Sequence, residues 1–485
     1  MAEDRNENSY RNILKGTSIF GGVQVFQILI NLVRGKFVAM FLGAEGMGVA
    51  SLFTSSFNTL TQTASLGLNL AFVKETAANK ENPEGLAAVM RVAGLLLQLT
   101  GLLGAFACVI LSPLLSVWSF GTDAYAWQYM LLAIAVYLSV TANGNMALLQ
   151  GLHKVKILSV SSLAGAVAGL MAGVPLYYFF GTKGIVPAII VLALTAFCCY
   201  TLGLRKAVGT PKPKFSFREH GPIARRLLSL GLILLSSTLI NTAFTYIINV
   251  FIRAYGDMTH VGLFNAANSI TLQYAGVVFT AMALDYFPRL TAAASDNTLM
   301  AKIVNRQSEI VALMATPLAI LLVATAPLVI RILLTPEFLP VTELMRWLGI
   351  SILIKAIAYP LGYITFAKNN RRLFFWLEAV ACNLLYLGLS LGFYRAFGFM
   401  GLGYAAVTEQ ACCVLLYLGV NYKVYGFRPN RSAMIQTTAA ILTGAAGFAA
   451  SILLTGASSY IVMVAVTAFA GVRAFLILRK LIRRK

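Results

Sequence analysis

Charge is what this sequence lacks most. Charged residues fill 11% of the 485 positions and apolar ones 59%, whereas a typical soluble domain is roughly 25% charged. That excludes an ordinary water-soluble globule, because no polar surface can be built around so large an apolar share. Lipid has to be the solvent, and one membrane bundle replaces a string of soluble domains. Also missing are a Walker phosphate loop, a His-Glu-x-x-His pair and a Gly-x-Ser-x-Gly elbow. The three histidines, His153, His220 and His260, fall in or beside loops. None of the six cysteines (Cys108, Cys198, Cys199, Cys382, Cys412, Cys413) stands in Cys-x-x-Cys spacing, so zinc and dithiol chemistry are not expected and buried thiols are. Loops on one side are short, such as GAEG at 43–46 and YGDMTH at 255–260, so no outer domain is available to do chemistry.

What is present is a series of apolar runs of the roughly 20 residues that one crossing needs. They place spans at 17–42, 47–73, 92–117, 126–150, 157–180, 184–204, 228–254, 260–287, 310–334, 341–366, 373–394, 399–422, 433–455 and 458–478. The polar start MAEDRNENSYRNILKG precedes a run too long for a signal-peptide core, so the first span is expected to be retained.

The net charge of +21 would suggest a nucleic-acid partner in a soluble chain. Here the Lys and Arg sit between apolar runs and almost all on one side; of those outside the spans, only Lys183 and Arg395 lie on the other. By the positive-inside rule both termini are cytoplasmic. No nucleic acid is implied, and attraction to anionic membrane lipid is a by-product.

The longest connection, RKAVGTPKPKFSFREHGPIARR from Arg205 to Arg226, is basic, contains proline and lies near the middle of the chain. It reads as a linker. Gly48 matches Gly262, and Lys74, Thr76, Ala77 and Ala78 match Arg289, Thr291, Ala292 and Ala293, each at nearly the same offset. The expected organisation is a six-helix bundle over 1–204, a linker over 205–227, a second six-helix bundle over 228–425 and two extra helices over 426–485. An even helix number per repeat gives the parallel-repeat arrangement, with a substrate path between the halves.

Polar residues inside the spans recur at helical spacing and so share faces. The first span carries Gln24, Gln27, Asn31 and Arg34, and the second Ser51, Ser55, Asn58, Gln62, Ser65 and Asn69. Their repeat equivalents carry Thr238, Thr242, Thr245, Asn249 and Arg253, then Asn265, Ser269, Gln273 and Thr280. One reading is packing glue, since Ser and Thr bond between membrane helices for about 0.6 to 2 kcal/mol. The sharper reading is a water-filled cavity. Arg34, inside the first span, and Lys355, midway along the tenth with Ser351 and Tyr359 on its face, are expensive in hydrocarbon by at least about 2.5 kcal/mol each. The substrate-binding candidates are therefore Arg34, Lys355, Arg253, Gln27, Asn31, Asn58, Gln62, Asn249 and Gln273. Asp285 and Arg289, four apart at a helix end, read as an anchoring ion pair. Glu409, well inside the twelfth span, is the ion-coupling candidate, and Glu378 nearer the interface ranks below it. No metal site or resident cofactor is expected.

Over nearly the whole length the sequence resembles the Wzx-type polysaccharide flippases of the MOP exporter superfamily. The resemblance rests on RGKFVAMFLGAEGMGVASLF from Arg34 and SLGLNLAFVKETA from Ser65. WLGISILIKAIAYPLGYITFAK from Trp347 is similar to the corresponding helix of the enterobacterial common antigen flippase, including Lys355, Tyr359, Gly362, Tyr363 and Lys368. It is weakest in the last two spans.

The resemblance implies an all-α, V-shaped, MATE-like pair of six-helix bundles in a bacterial inner membrane, working by alternating access. Its implied substrate is an undecaprenyl-pyrophosphate-linked oligosaccharide, such as an O-antigen repeat unit for lipopolysaccharide, flipped from cytoplasmic to periplasmic leaflet. A proton or sodium gradient acting at Glu409 is the expected drive, and the polymerase and chain-length proteins of the same pathway are expected partners. Within the superfamily a lipid II flippase, which carries an arginine at the Arg34 position, and a multidrug exporter are alternatives. Outside it, the rival is a membrane glycan polymerase, which needs larger outer loops. On this reading the chain is not an enzyme.

Overall fold

The structure is a computed structural model that describes residues 2–208, 217–454 and 456–483. The side chains of Gln24, Thr238, Thr280 and Asp285, and with them the expected Asp285–Arg289 pair, lie outside the described residues. Every described element is helical. In chain order these are α1 (Ala2–Ala64), α2 (Leu68–Ala78), α3 (Pro83–Ile110), α4 (Ser112–Phe120), α5 (Ala126–Gly151), α6 (Val155–Phe180), α7 (Ile185–Val208) and α8 (Phe217–Tyr255). Then follow α9 (Met258–Ala292), α10 (Asn297–Leu333), α11 (Val341–Ala367), α12 (Arg371–Phe374), α13 (Asn383–Phe397), α14 (Gly401–Tyr425), α15 (Arg431–Leu453) and α16 (Gly456–Arg483).

Among the described residues nine helical stretches are long and apolar enough to cross a membrane. Three of them, Val25–Ala64, Val155–Val208 and Arg372–Tyr425, run 40, 54 and 54 residues, about twice what one crossing needs or more. Each is broken by a turn, at Gly43, at Gly181–Gly184 and at Gly398–Met400. With α8 and α9, of 39 and 35 residues, the helices accommodate the fourteen crossings expected. The reversal at Gly43 needs a φ of 65°, a left-handed value that glycine adopts without a Cβ penalty. Where helices leave the apolar region they are capped by the sequence: Asn82 accepts from the N–H groups of Glu84 and Gly85, and Asp296 from those of Thr298 and Leu299.

The chain forms two compact units, Met1–Gly262 and Leu263–Lys485. In the first, α8 packs against α1 and α2. Gly165, Gly169 and Gly173 form a strip on α6 that faces Ala196, Leu192 and Ala188 of α7, the small-residue spacing that lets membrane helices approach closely. A hydroxyl chain crosses the unit: Ser56 Oγ lies 3.1 Å from the Tyr129 hydroxyl, which lies 2.8 Å from Ser119 Oγ, which meets the Tyr246 hydroxyl. It sits beside Phe53 and Phe120, whose rings pack on Tyr129.

In the second unit α11 packs against α10 and α14. Pro360 lacks the N–H that would bond the Ala356 carbonyl, and next to this break the Pro360 carbonyl accepts from the Tyr286 hydroxyl at 2.8 Å and the Leu361 carbonyl from Asn421 Nδ2 at 2.9 Å. Between α12 and α13 residues Phe375–Cys382 wind as a π-helix, a geometry frequent at functional sites. The cysteines are not uniformly buried as expected: Cys108, Cys382 and Cys413 are, but Cys198 is exposed, because it falls on the outward face of α7.

Candidate substrate site

Hydrocarbon offers no hydrogen-bond partner, so a polar group in a span is satisfied by the protein, by water or by a ligand. That rule sorts the candidate residues. The hydroxyls satisfy themselves locally. Ser51, Ser55, Thr59 and Thr63 each donate to the carbonyl four residues back at 2.7 to 2.9 Å, and so does Ser65 at 2.8 Å, the back-bonding habit of these residues in helices.

A second group is held by neighbouring side chains or backbone. Gln27 of α1 donates to Ser162 Oγ of α6. Asn249 of α8 is fully buried, and its Nδ2 donates to Ser55 Oγ at 3.3 Å. Arg253 gives Nε to the Ser119 carbonyl at 2.9 Å and a terminal nitrogen to the Trp118 carbonyl at 2.8 Å. Its guanidinium thus closes the C-terminus of α4, where orphan carbonyls and the helix dipole both favour a cation. Gln273 of α9 donates to Ser269 Oγ at 2.9 Å, and its own buried Oε1 accepts nothing among the described residues.

The third group has no hydrogen bond or ion pair among the described residues: Asn31, Arg34, Asn58 and Gln62 in the first unit and Lys355 in the second. Asn31, Asn58 and Lys355 are exposed on their units, and Arg34 and Gln62 are half-buried. The charge of Arg34 reaches Tyr177 of α6. These five keep free donors along otherwise apolar helices, the arrangement that binds a polar ligand and that lipid alone would penalise.

Glu409 is 7% exposed on α14. Its Oε1 accepts from Cys413 Sγ at 3.1 Å and its Oε2 from Gln410 Nε2 at 2.7 Å, and Lys355 and Glu378 are the charges acting on it. Glu378, from the π-helical turn, accepts from the Tyr417 hydroxyl, which also lies 3.5 Å from Cys382 Sγ. With Cys382 against Cys413, the two carboxylates are joined by one chain of hydroxyl and thiol groups.

The family described as polysaccharide biosynthesis protein matches residues 37–343, more than half of the chain. The chain belongs to that family. The chain is similar to the lipid III flippase of Escherichia coli (strain K12), 22% identical over 361 residues that make up 73% of this chain and 85% of that protein. The lipid III flippase of Shigella flexneri matches equally. Among solved structures, the lipid II flippase MurJ in an inward closed conformation superposes with a TM-score of 0.71 at 15% identity, covering 96% of this chain and 99% of that one. An inward-facing MATE multidrug transporter of the MOP superfamily superposes with a TM-score of 0.68 at 16% identity, covering 85% and 95%. The all-α, multi-pass, MOP-type membrane fold expected from the sequence is the one found. As relatives the comparisons bring flippases and transporters.

Three features of this family member were not picked out as site elements in the sequence. Glu75 of α2 is buried, with its Oε1 3.0 Å from Arg226 Nε of α8; an acid flanked by the apolar run LNLAFV was its only signal. The Tyr129–Ser119–Tyr246 chain joins three helices and leaves no periodic trace. Tyr417, which connects Glu378 to Cys382, shares a helix face with Cys413 and Glu409, four and eight residues before it, and that spacing was its readable sign.

Proposed function

We propose that this protein flips an undecaprenyl-pyrophosphate-linked oligosaccharide, an O-antigen or other polysaccharide repeat unit, from the cytoplasmic to the periplasmic leaflet of a bacterial inner membrane by alternating access. The carrying observation is that Arg34 and Lys355, cations within apolar spans, make no ion pair or hydrogen bond among the described residues. A diphosphate satisfies such cations through charge-assisted hydrogen bonds, and the free amides of Asn31, Asn58 and Gln62 suit sugar hydroxyls. Membership of the polysaccharide biosynthesis family and similarity to flippases named for lipid III support this reading.

Cytoplasmic termini, from the basic loops, belong to the same reading, as do the two six-helix repeats flanking the 205–227 linker. A proton or sodium gradient acting at Glu409 supplies the drive, and the polymerase and chain-length proteins of the pathway take the product. Arg34→Ala and Lys355→Ala are the test, in a strain lacking its own flippase. Export of the glycan should be lost while the protein stays in the membrane. Full glycan display in both variants would overturn the assignment.

A further inference from the structure

A cavity of about 200 Å³ opens in the second unit where the end of α9 meets the first turns of α10. Arg289, Lys302, Arg306 and Gln307 supply its polar lining, and Leu299, Ile303 and Ile310 its apolar lining. Residues 299, 302, 303, 306 and 310 share one face of α10, so the lining is a stripe along the helix. Ile310 begins the ninth span, and Lys302 lies about 12 Å further toward the cytoplasm at 1.5 Å per residue. The apolar end therefore sits at acyl-chain depth and the cationic end at headgroup depth.

Lys302 and Arg306 are exposed and form no ion pair among the described residues. Asp296, an acid on which Lys302 acts, has its Oδ1 occupied by the Thr298 and Leu299 N–H groups, and these backbone donors, Leu299 first, hold its carboxyl below the usual range. Gln307 is 6% exposed, lines the cavity and makes no hydrogen bond among the described residues, so a buried amide borders whatever fills the space.

We infer that this cavity is a binding site for an anionic phospholipid of the surrounding bilayer, its phosphate held by Lys302, Arg306 and Gln307 and its first acyl carbons lying on Ile303 and Ile310. Basic pockets between helices at the cytoplasmic interface suit such headgroups. Beyond the Gln307 amide the lining carries no amide or hydroxyl for a chain of sugars, which separates this site from the transported glycan. The inference stands without the transport reading.

The experiment is native mass spectrometry of the purified full-length protein titrated with phosphatidylglycerol, with phosphatidylcholine as the zwitterionic probe. Wild type should retain phosphatidylglycerol where phosphatidylcholine is lost. The Lys302→Gln/Arg306→Gln double variant should bind phosphatidylglycerol about tenfold more weakly or worse, and Gln307→Leu less well than wild type. Lys74→Gln/Lys80→Gln, which removes the same charge elsewhere on the basic side, should bind as wild type does. Melting temperatures of all variants identify any that has simply misfolded, and Gln307→Leu then provides the remaining test. Equal retention of the two lipids, an equal loss in the Lys74/Lys80 variant, or no loss in the double variant would overturn the assignment. So would displacement of phosphatidylglycerol by equimolar undecaprenyl pyrophosphate, which would give the cavity to the transported lipid.

Discussion

Gly48 and Gly262 face one another in the first unit so closely that a Cβ on Gly48 would lie 1.9 Å from the Met258 carbonyl oxygen, and one on Gly262 would lie 1.9 Å from that of Ala44. The two contacts are reciprocal: each glycine meets the carbonyl four residues before the other. That is the geometry of a local two-fold, and it falls on the pair of glycines that the sequence aligns as repeat equivalents.

Because the obstruction at both sites is backbone, no side-chain rotation relieves it. Gly48→Ala should therefore lower the thermal midpoint of the detergent-purified protein, with a cost of about 1 to 3 kcal/mol typical of overpacking. Gly48→Val should lower it further. Gly22→Ala, at a glycine with nothing near its Cβ position, should leave the midpoint unchanged or raise it. Equal midpoints for Gly48→Ala and wild type would disprove the crossing.

The division of the polar stripes into satisfied and unsatisfied residues separates stability from transport. Asn249→Leu removes a fully buried donor to Ser55 and should destabilise the first unit by about 1 to 3 kcal/mol. Asn58→Leu and Gln62→Leu remove no hydrogen bond among the described residues and should keep the wild-type midpoint while reducing glycan export. A loss of stability in the last two without a transport defect would return them to packing.

Much of this was legible in the sequence because the physics of a span is local. A run of about 20 apolar residues announces a crossing, and polar residues at helical spacing announce a face. What a face meets is not local. Asn58 and Asn249 look alike as stripe members, yet Asn249 is occupied by a serine 194 positions away and Asn58 is not. Arg253 continues a stripe as convincingly as Arg34 does, but its acceptors are carbonyls, and every residue has one. The repeat match of Gly48 and Gly262 was visible, whereas their mutual contact required the chain to be folded.

Arg253 supplies the next test. Two hydrogen bonds from a charged donor to the end of α4 predict that Arg253→Gln lowers the thermal midpoint, at about 1.5 to 3 kcal/mol per charged bond as the upper scale. Arg253→Lys should recover only part, since an ammonium cannot match the fork geometry of the guanidinium. Export per folded molecule should stay near wild type in both. A normal midpoint with abolished export would instead make Arg253 a substrate ligand.

Glu409 and Lys355 bring the coupling question to one place. A buried carboxylate with two donors on it, an exposed lysine acting from the facing helix and a hydroxyl–thiol chain toward Glu378 make a site whose occupancy by a proton or cation changes the local charge. If the gradient acts there, Glu409→Gln fixes the neutral state at nearly constant shape. Export measured in vesicles should then no longer respond to an imposed gradient, while substrate binding persists. Tyr417→Phe breaks the chain between Glu378 and Cys382 without touching Glu409, so it should slow the gradient response and leave its dependence on Glu409 intact. Lys355→Gln should differ from both by weakening binding of a diphosphate lipid directly. Gradient-dependent export at the wild-type rate in Glu409→Gln would remove this carboxylate from the coupling step and leave Glu378 as the remaining acid to test.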